Sequence, residues 1–179
     1  MKRFINKFKK GPALSRAEGF TIIELIVVIA IIAVLAGIVL VNVQGYVKKA
    51  QNAKVLADLE SYVKALELAY AQNGSYPSSG NAEVCLGQYQ SGACWNGTVA
   101  VLNSLNSALS PFLPGPPGNE NKVCNSFGNC FNGYKYLNDS LYSKIIRITY
   151  LLAGTDQSCG VGSGSDWYGA TYCTYMKSY

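Results

Sequence analysis

The chain has 179 residues, no histidine and a formal net charge of +5, enough for one modest domain and a membrane-length segment but not for two domains. Six cations and one anion precede Phe20, which leaves nine charges of each sign after it; the basic balance therefore belongs to a leader, and no direct nucleic-acid partner is expected. Without histidine no Ser-His-Asp, Cys-His or other imidazole acid–base constellation can be built, so the chain is not expected to be an enzyme.

Residues 1–19 form the leader, with Lys2, Arg3, Lys7, Lys9, Lys10 and Arg16 against Glu18. From Phe20 to Val43 the sequence is apolar, and Leu25–Val41 is a run of 17 uncharged residues, the length of a membrane-spanning helix. A secretory signal peptide would place a small-residue cleavage site after the run, but Asn42-Val43-Gln44-Gly45-Tyr46-Val47 follows. Six cations before the run, against Lys48 and Lys49 after it, predict a cytoplasmic N-terminus and an outer location for everything beyond about Gly45. Glu24 stands near the start of this segment. A carboxylate at the centre of a membrane helix costs about 2.5–3.5 kcal/mol, so one in such a segment points to a partner or a task that offsets it.

After the apolar run the helical period continues through Leu56, Leu59, Val63, Leu66 and Tyr70, one stripe at 3- and 4-residue spacing. Lys54 with Asp58 and Glu60 with Lys64 are i,i+4 pairs on the other face. Asn73-Gly74 before Tyr76-Pro77 is a stop signal. No proline lies between Phe20 and Asn73, so the segment reads as one helix of about 50 residues. Gly37 and its β-branched neighbours make Ala36–Val41 the local weak point.

All six cysteines lie on the predicted outer side, an oxidising location in which an even number reads as disulfides. Six cysteines allow 15 pairings. Their spacing favours three local bridges, Cys85 with Cys94, Cys124 with Cys130 and Cys159 with Cys173, each worth about 2–3 kcal/mol on the chain-entropy estimate. No Cys-x-x-Cys and no histidine are present, so neither a metal nor a cofactor is expected. Asp156 and Asp166 are the one carboxylate pair to weigh as a site, but they sit in a Gly/Ser-rich stretch where turn formation is the simpler role. Gly160-Val161-Gly162-Ser163-Gly164 lacks the helix and lysine of a phosphate loop and reads as flexible loop.

Beyond Asn73 the pattern predicts a short amphipathic helix over Thr98–Leu109, ended by Pro111, Pro114, Pro116 and Pro117. Strands are predicted over Gly133–Leu137, Leu141–Leu152 and Thr171–Lys177, an antiparallel sheet whose inner face covers the amphipathic half-helix. The fold class is α+β. It divides into a leader (1–19), an apolar half-helix (20–45), an amphipathic half-helix (46–73), a loop region with a short helix (74–132) and a sheet (133–179). Thirteen tyrosines and two tryptophans raise carbohydrate binding or electron transfer along stacked rings. Half-buried sheet faces and subunit contacts account for them more simply. Asn96-Gly97-Thr98 and Asn138-Asp139-Ser140 are N-glycosylation acceptors by pattern.

The basic leader, Gly19-Phe20 and Thr21-Ile22-Ile23-Glu24-Leu25-Ile26-Val27-Val28-Ile29-Ala30-Ile31-Ile32, with Asn73-Gly74-Ser75-Tyr76-Pro77 at the helix exit, resemble the type IV pilin and type II secretion pseudopilin superfamily. The likeness covers about Lys2 to Pro77. It implies that a prepilin peptidase cuts between Gly19 and Phe20 on the cytoplasmic side and methylates the amine of Phe20. It further implies a subunit of 160 residues stored in the inner membrane and built by an assembly platform into a helical homo-oligomeric filament, pilus or secretion pseudopilus. Glu24 would then meet the Phe20 amine of a neighbouring subunit and set the register. Many members carry a single C-terminal bridge, which Cys159 and Cys173 resemble. The alternatives are a major-type pseudopilin, or a single-pass membrane protein with an extracytoplasmic binding head that never polymerises.

Overall fold

The structure, a computed structural model, describes residues 19–89, 92–113, 115, 122–140 and 144–179; within the first helix the side chains of residues 39–42 and 44 lie outside that description. The leader before Gly19, Pro114, Pro116, Pro117 and the predicted strand start at 141–143 fall outside it. The chain divides into two compact units, residues 1–42 and 43–179. Helix α1 (Ile22–Asn73) is 52 residues long and unbroken, including through Ala36–Val41.

In the first unit every described side chain of α1, from Ile22 to Ile38, is exposed. Among the described residues no helix is long and apolar enough to cross a membrane; the uncharged run ends at Val41, beyond Ile38, the last described side chain of that unit.

The second unit is an α+β domain. Strands β1 (Val84–Leu86), β6 (Tyr134–Asp139), β7 (Ile145–Ala153), β8 (Ser163–Trp167) and β9 (Ala170–Ser178) form one antiparallel sheet in the order β1-β6-β7-β9-β8. Two small hairpins, β2 (Ala93–Cys94) with β3 (Val99–Ala100) and β4 (Val123–Cys124) with β5 (Cys130–Phe131), lie in the connection between β1 and β6. Alternation along β7 turns Ile146, Ile148, Tyr150 and Leu152 into the core shared with α1. Leu151, on the opposite face, packs with Trp95, Val99, Val123 and Ala170 in a second cluster. The two hairpins thus roof the outer face of the sheet near Leu151.

The helix buries Val55, Leu59, Tyr62, Ala65, Leu66 and Ala69. This face is rotated from the predicted stripe: Leu59 and Leu66 are central, Leu56 and Val63 only flank the core, and Tyr70 is exposed. The cause is the size of what lies opposite. Tyr134, Tyr136 and Tyr150 are fully buried on the sheet, and alanines at 65 and 69 leave room for such rings. Burial pushes the Tyr150 phenol up to about 12, and the Tyr134 hydroxyl donates to the Val55 carbonyl at 2.9 Å.

Asparagines close the irregular segments. Asn52 donates to the Ala153 carbonyl at 3.0 Å and accepts from its amide at 2.8 Å, which fixes the end of β7 on α1. Asn106 binds both polar groups of Gly87. Asn138, buried, donates to the Tyr76 and Pro77 carbonyls and accepts from the Tyr179 hydroxyl. Each supplies backbone groups with the partner that a helix or sheet would otherwise give.

Four expectations are corrected. The helix predicted over Thr98–Leu109 is only α2 (Asn103–Leu109), because Val99–Ala100 pair as β3. The sheet has five strands rather than three. Ser163 and Gly164, read as flexible loop, begin the edge strand β8. The ion pairs among the described residues join Glu67 to Lys177 and Glu83 to Lys135 and Arg147, rather than Lys54 to Asp58 or Glu60 to Lys64; they tie α1 and the segment after it to the sheet.

Candidate functional site at the start of the apolar helix

Thr21 and Glu24 close a capping box at the first turn of α1. The Thr21 amide donates to Glu24 Oε2 at 2.8 Å, the Thr21 hydroxyl donates to the same oxygen at 2.7 Å, and the Glu24 amide donates to Thr21 Oγ1 at 3.3 Å. With α1 beginning at Ile22, Thr21 is the N-cap residue and Glu24 the third helical residue, the spacing at which the two satisfy each other's orphan amides. The negative charge also lies at the positive end of the helix dipole. The pattern Thr21-Ile22-Ile23-Glu24 is visible in the sequence, but the membrane and register readings of Glu24 left Thr21 without a role.

Both hydrogen bonds to Glu24 use Oε2, and among the described residues Oε1 accepts none. The carboxylate is exposed. One oxygen therefore caps its own helix while the other is open to a cation from another molecule. Phe20, 86% exposed, directly precedes the cap. At Gly19 an added Cβ would meet nothing within 4 Å, so no packing within the described chain requires glycine there.

The sequence-predicted cysteines are far along the chain from this site, in the second unit. Cys85 is joined to Cys94, Cys124 to Cys130 and Cys159 to Cys173. The first ties β1 to β2, the second crosses the β4–β5 hairpin, and the third ties the β7–β8 connection to β9. Cys85, Cys94 and Cys173 are fully buried, whereas Cys124 is exposed. Gly164 lies against the third bridge, where an added Cβ would come within 2.3 Å of Cys159 Sγ and 2.9 Å of the Tyr172 carbonyl. Asp166 closes a turn: Oδ1 accepts from the Asp156 amide at 2.8 Å. Among the described residues no group of three or more His, Cys, Asp or Glu is placed to hold a metal. Of the two glycosylation patterns, Asn96 is exposed on the β2–β3 turn and Asn138 is buried with its side chain committed.

Comparison with known proteins agrees with this N-terminal site. Residues 14–40 match the family model of the prokaryotic N-terminal methylation motif. The type IV wide pilus major component PilA4 of Thermus thermophilus is 42% identical over 74 residues, 41% of this chain and 56% of that protein. The type II secretion system core protein G of Pectobacterium carotovorum is 41% identical over 69 residues, 38% of this chain and 44% of that one. Fimbrial protein Q of Moraxella bovis is 39% identical over 69 residues, 38% and 43% of the two chains. The chain spans about half the length of the curated relatives it matches. No solved structure matches it. The N-terminal segment of the chain is therefore similar to those of type IV pilins and type II secretion pseudopilins and carries the prokaryotic N-terminal methylation motif.

Proposed function

We propose that this chain is the structural subunit of a type IV pilus-like filament, held in the cytoplasmic membrane by residues 20–45 with its N-terminus inside, cut after Gly19, N-methylated on Phe20 and polymerised through α1. The carrying observation is the exposure of every described α1 side chain of the first unit around a single capped carboxylate. Such a surface is satisfied in lipid, and it is equally satisfied by copies of itself packed in a fibre core. Moving between the two exchanges one apolar neighbour for another, so a directional contact must choose the register, and Glu24 Oε1 with a neighbour's Phe20 amine supplies it. Glycine at 19, which packing among the described residues does not require, fits a peptidase that reads the residue before the cut.

The partners in this account are other copies of the chain, a prepilin peptidase and an assembly platform in the membrane. Type II secretion core protein G recurs among the relatives, which makes a secretion pseudopilus the second reading. Deleting the gene separates them. Loss of sheared surface filaments that contain the chain supports the pilus, and retained surface filaments with a failure to secrete folded proteins supports the pseudopilus.

A further inference from the structure

Two hairpin turns of the second unit meet in an exposed aromatic pair. Phe127, on the β4–β5 turn, is 70% exposed, and Tyr168, on the β8–β9 turn, is 57% exposed; their ring centroids are 4.8 Å apart. The turns are tied together by the Ser126 amide and hydroxyl, which donate to the Tyr168 carbonyl at 2.6 and 2.7 Å. Tyr168 holds a left-handed backbone (φ 48°), a conformation a bulky residue keeps only where its surroundings impose it. At Gly169 an added Cβ would meet Ser126 Oγ at 2.6 Å. Behind the pair stands Trp167, 5.9 Å from Tyr168 and 5.1 Å from Phe131, which in turn lies 5.2 Å from Trp95. The pair is thus rigidly presented, with apolar rings turned to the outside.

Its level along the domain follows from contacts at the two ends of β9. Ala170 pairs with Ala153, which Asn52 holds, and Lys177 pairs with Glu67. Fifteen helical residues span about 22 Å and seven strand residues about 23 Å, so β9 and the second-unit part of α1 run side by side in the same direction. Tyr168, two residues before Ala170, therefore lies level with about Lys48. That is the end of the second unit at which the chain passes back into residues 20–42.

We propose that Phe127, Tyr168 and Trp167 form an interfacial anchor that rests on the bilayer surface while the subunit waits in the membrane. The inference rests on the membrane reading given above. Rings of this kind favour the boundary between headgroups and acyl chains, and exposed stacked aromatics have no gain from facing water. Tyr46, 71% exposed, and Lys48 and Lys49 belong to the same end and have the composition of an interfacial belt. Asp156 and Asp166 balance the two lysines in charge, so the contact is apolar and insensitive to salt rather than a basic patch on anionic lipid.

The test uses the full chain in phosphatidylcholine–phosphatidylglycerol vesicles whose acyl chains are brominated near the headgroup. Trp95 is buried, so quenching reports on Trp167. The expected result is loss of tryptophan emission against unbrominated vesicles, unchanged at about 0.5 M salt, absent in Trp167→Phe and reduced in a Phe127→Ser, Tyr168→Ser chain. A chain that fails to float with the vesicles overturns the membrane reading and this anchor with it. A chain that floats with unquenched emission overturns the anchor alone. If that unquenched chain also loses filament assembly on Phe127→Ser, Tyr168→Ser substitution, the rings belong to a contact between neighbouring subunits.

Discussion

Thr21 and Glu24 are bound to each other three times over, with the threonine amide and hydroxyl on one carboxylate oxygen and the glutamate amide on the threonine hydroxyl. The residue that looks most foreign to an apolar segment therefore begins that segment's helix. Among the described residues its second oxygen accepts no hydrogen bond, so the intersubunit contact proposed for it requires no break in the cap.

Removing either side of the box has separable consequences. Thr21→Val takes away the hydroxyl donor and acceptor and costs about 1 kcal/mol of helix start, while Thr21→Ser keeps both. Glu24→Ala removes the cap together with the charge proposed to act between subunits. The expected order of filament yield, read by shearing and immunoblotting, is native about equal to Thr21→Ser, then Thr21→Val, then Glu24→Ala. Cleavage after Gly19 should stay intact in all four. Normal filaments from Glu24→Ala would rule out its part in register.

Two glycines should respond in opposite directions to alanine. Gly164→Ala drives a methyl into Cys159 Sγ and the Tyr172 carbonyl, and overpacking of this kind costs about 1–3 kcal/mol, or roughly 3–9 °C in Tm. Gly45 lies inside α1, where an added Cβ would meet nothing within 4 Å, and Gly45→Ala should stabilise by about 0.5–1 kcal/mol. Thermal unfolding of the full chain in detergent reads both.

Asp58 carries a pH signature. Its Oδ2 is buried without a hydrogen-bond partner among the described residues, and burial raises its carboxyl above the ordinary range, with Lys54 opposing. A raised carboxyl favours the folded state when protonated, so its contribution is fully present below the unfolded value near 3.8 and is lost as pH rises through the folded value. Asp58→Asn should therefore raise Tm at pH 7 by about 1–2 °C after solvent screening. The gain should vanish near pH 3. An equal gain at both pH values would assign the effect to packing.

The three bridges should open in a fixed order under a mild reductant. Cys124 is exposed, whereas Cys85, Cys94 and Cys173 are fully buried and out of reach of an attacking thiolate until the fold opens. Alkylation followed by peptide mapping should find Cys124 and Cys130 labelled first. Early labelling of Cys85 or Cys94 would contradict the burial of that bridge.

What could be read from the sequence was whatever repeats or carries charge asymmetry. The leader, the apolar run, the single long helix and the alternation along Ile145–Leu152 are periodic signals, and they carry the α+β architecture. The edge strand β8 was illegible because Ser163-Gly164-Ser165-Asp166 has no apolar alternation; its Gly164 makes room for the disulfide, and Gly162 just before it makes room for Tyr150, whose hydroxyl would lie 2.8 Å from a Cβ there. The clamps by Asn52, Asn106 and Asn138 were equally hidden, since an asparagine's reach across 101 residues to Ala153 leaves no local pattern. Thr21 is the opposite case. The Thr-x-x-Glu spacing is local, and the capping box it forms needs nothing beyond the first turn of α1.

The most direct measurement is the mass and N-terminal sequence of the chain recovered from sheared filaments. The account predicts a 160-residue chain that begins with N-methylated Phe20 and carries three disulfides. A chain that keeps residues 1–19 and stays with the membrane as single molecules would contradict it.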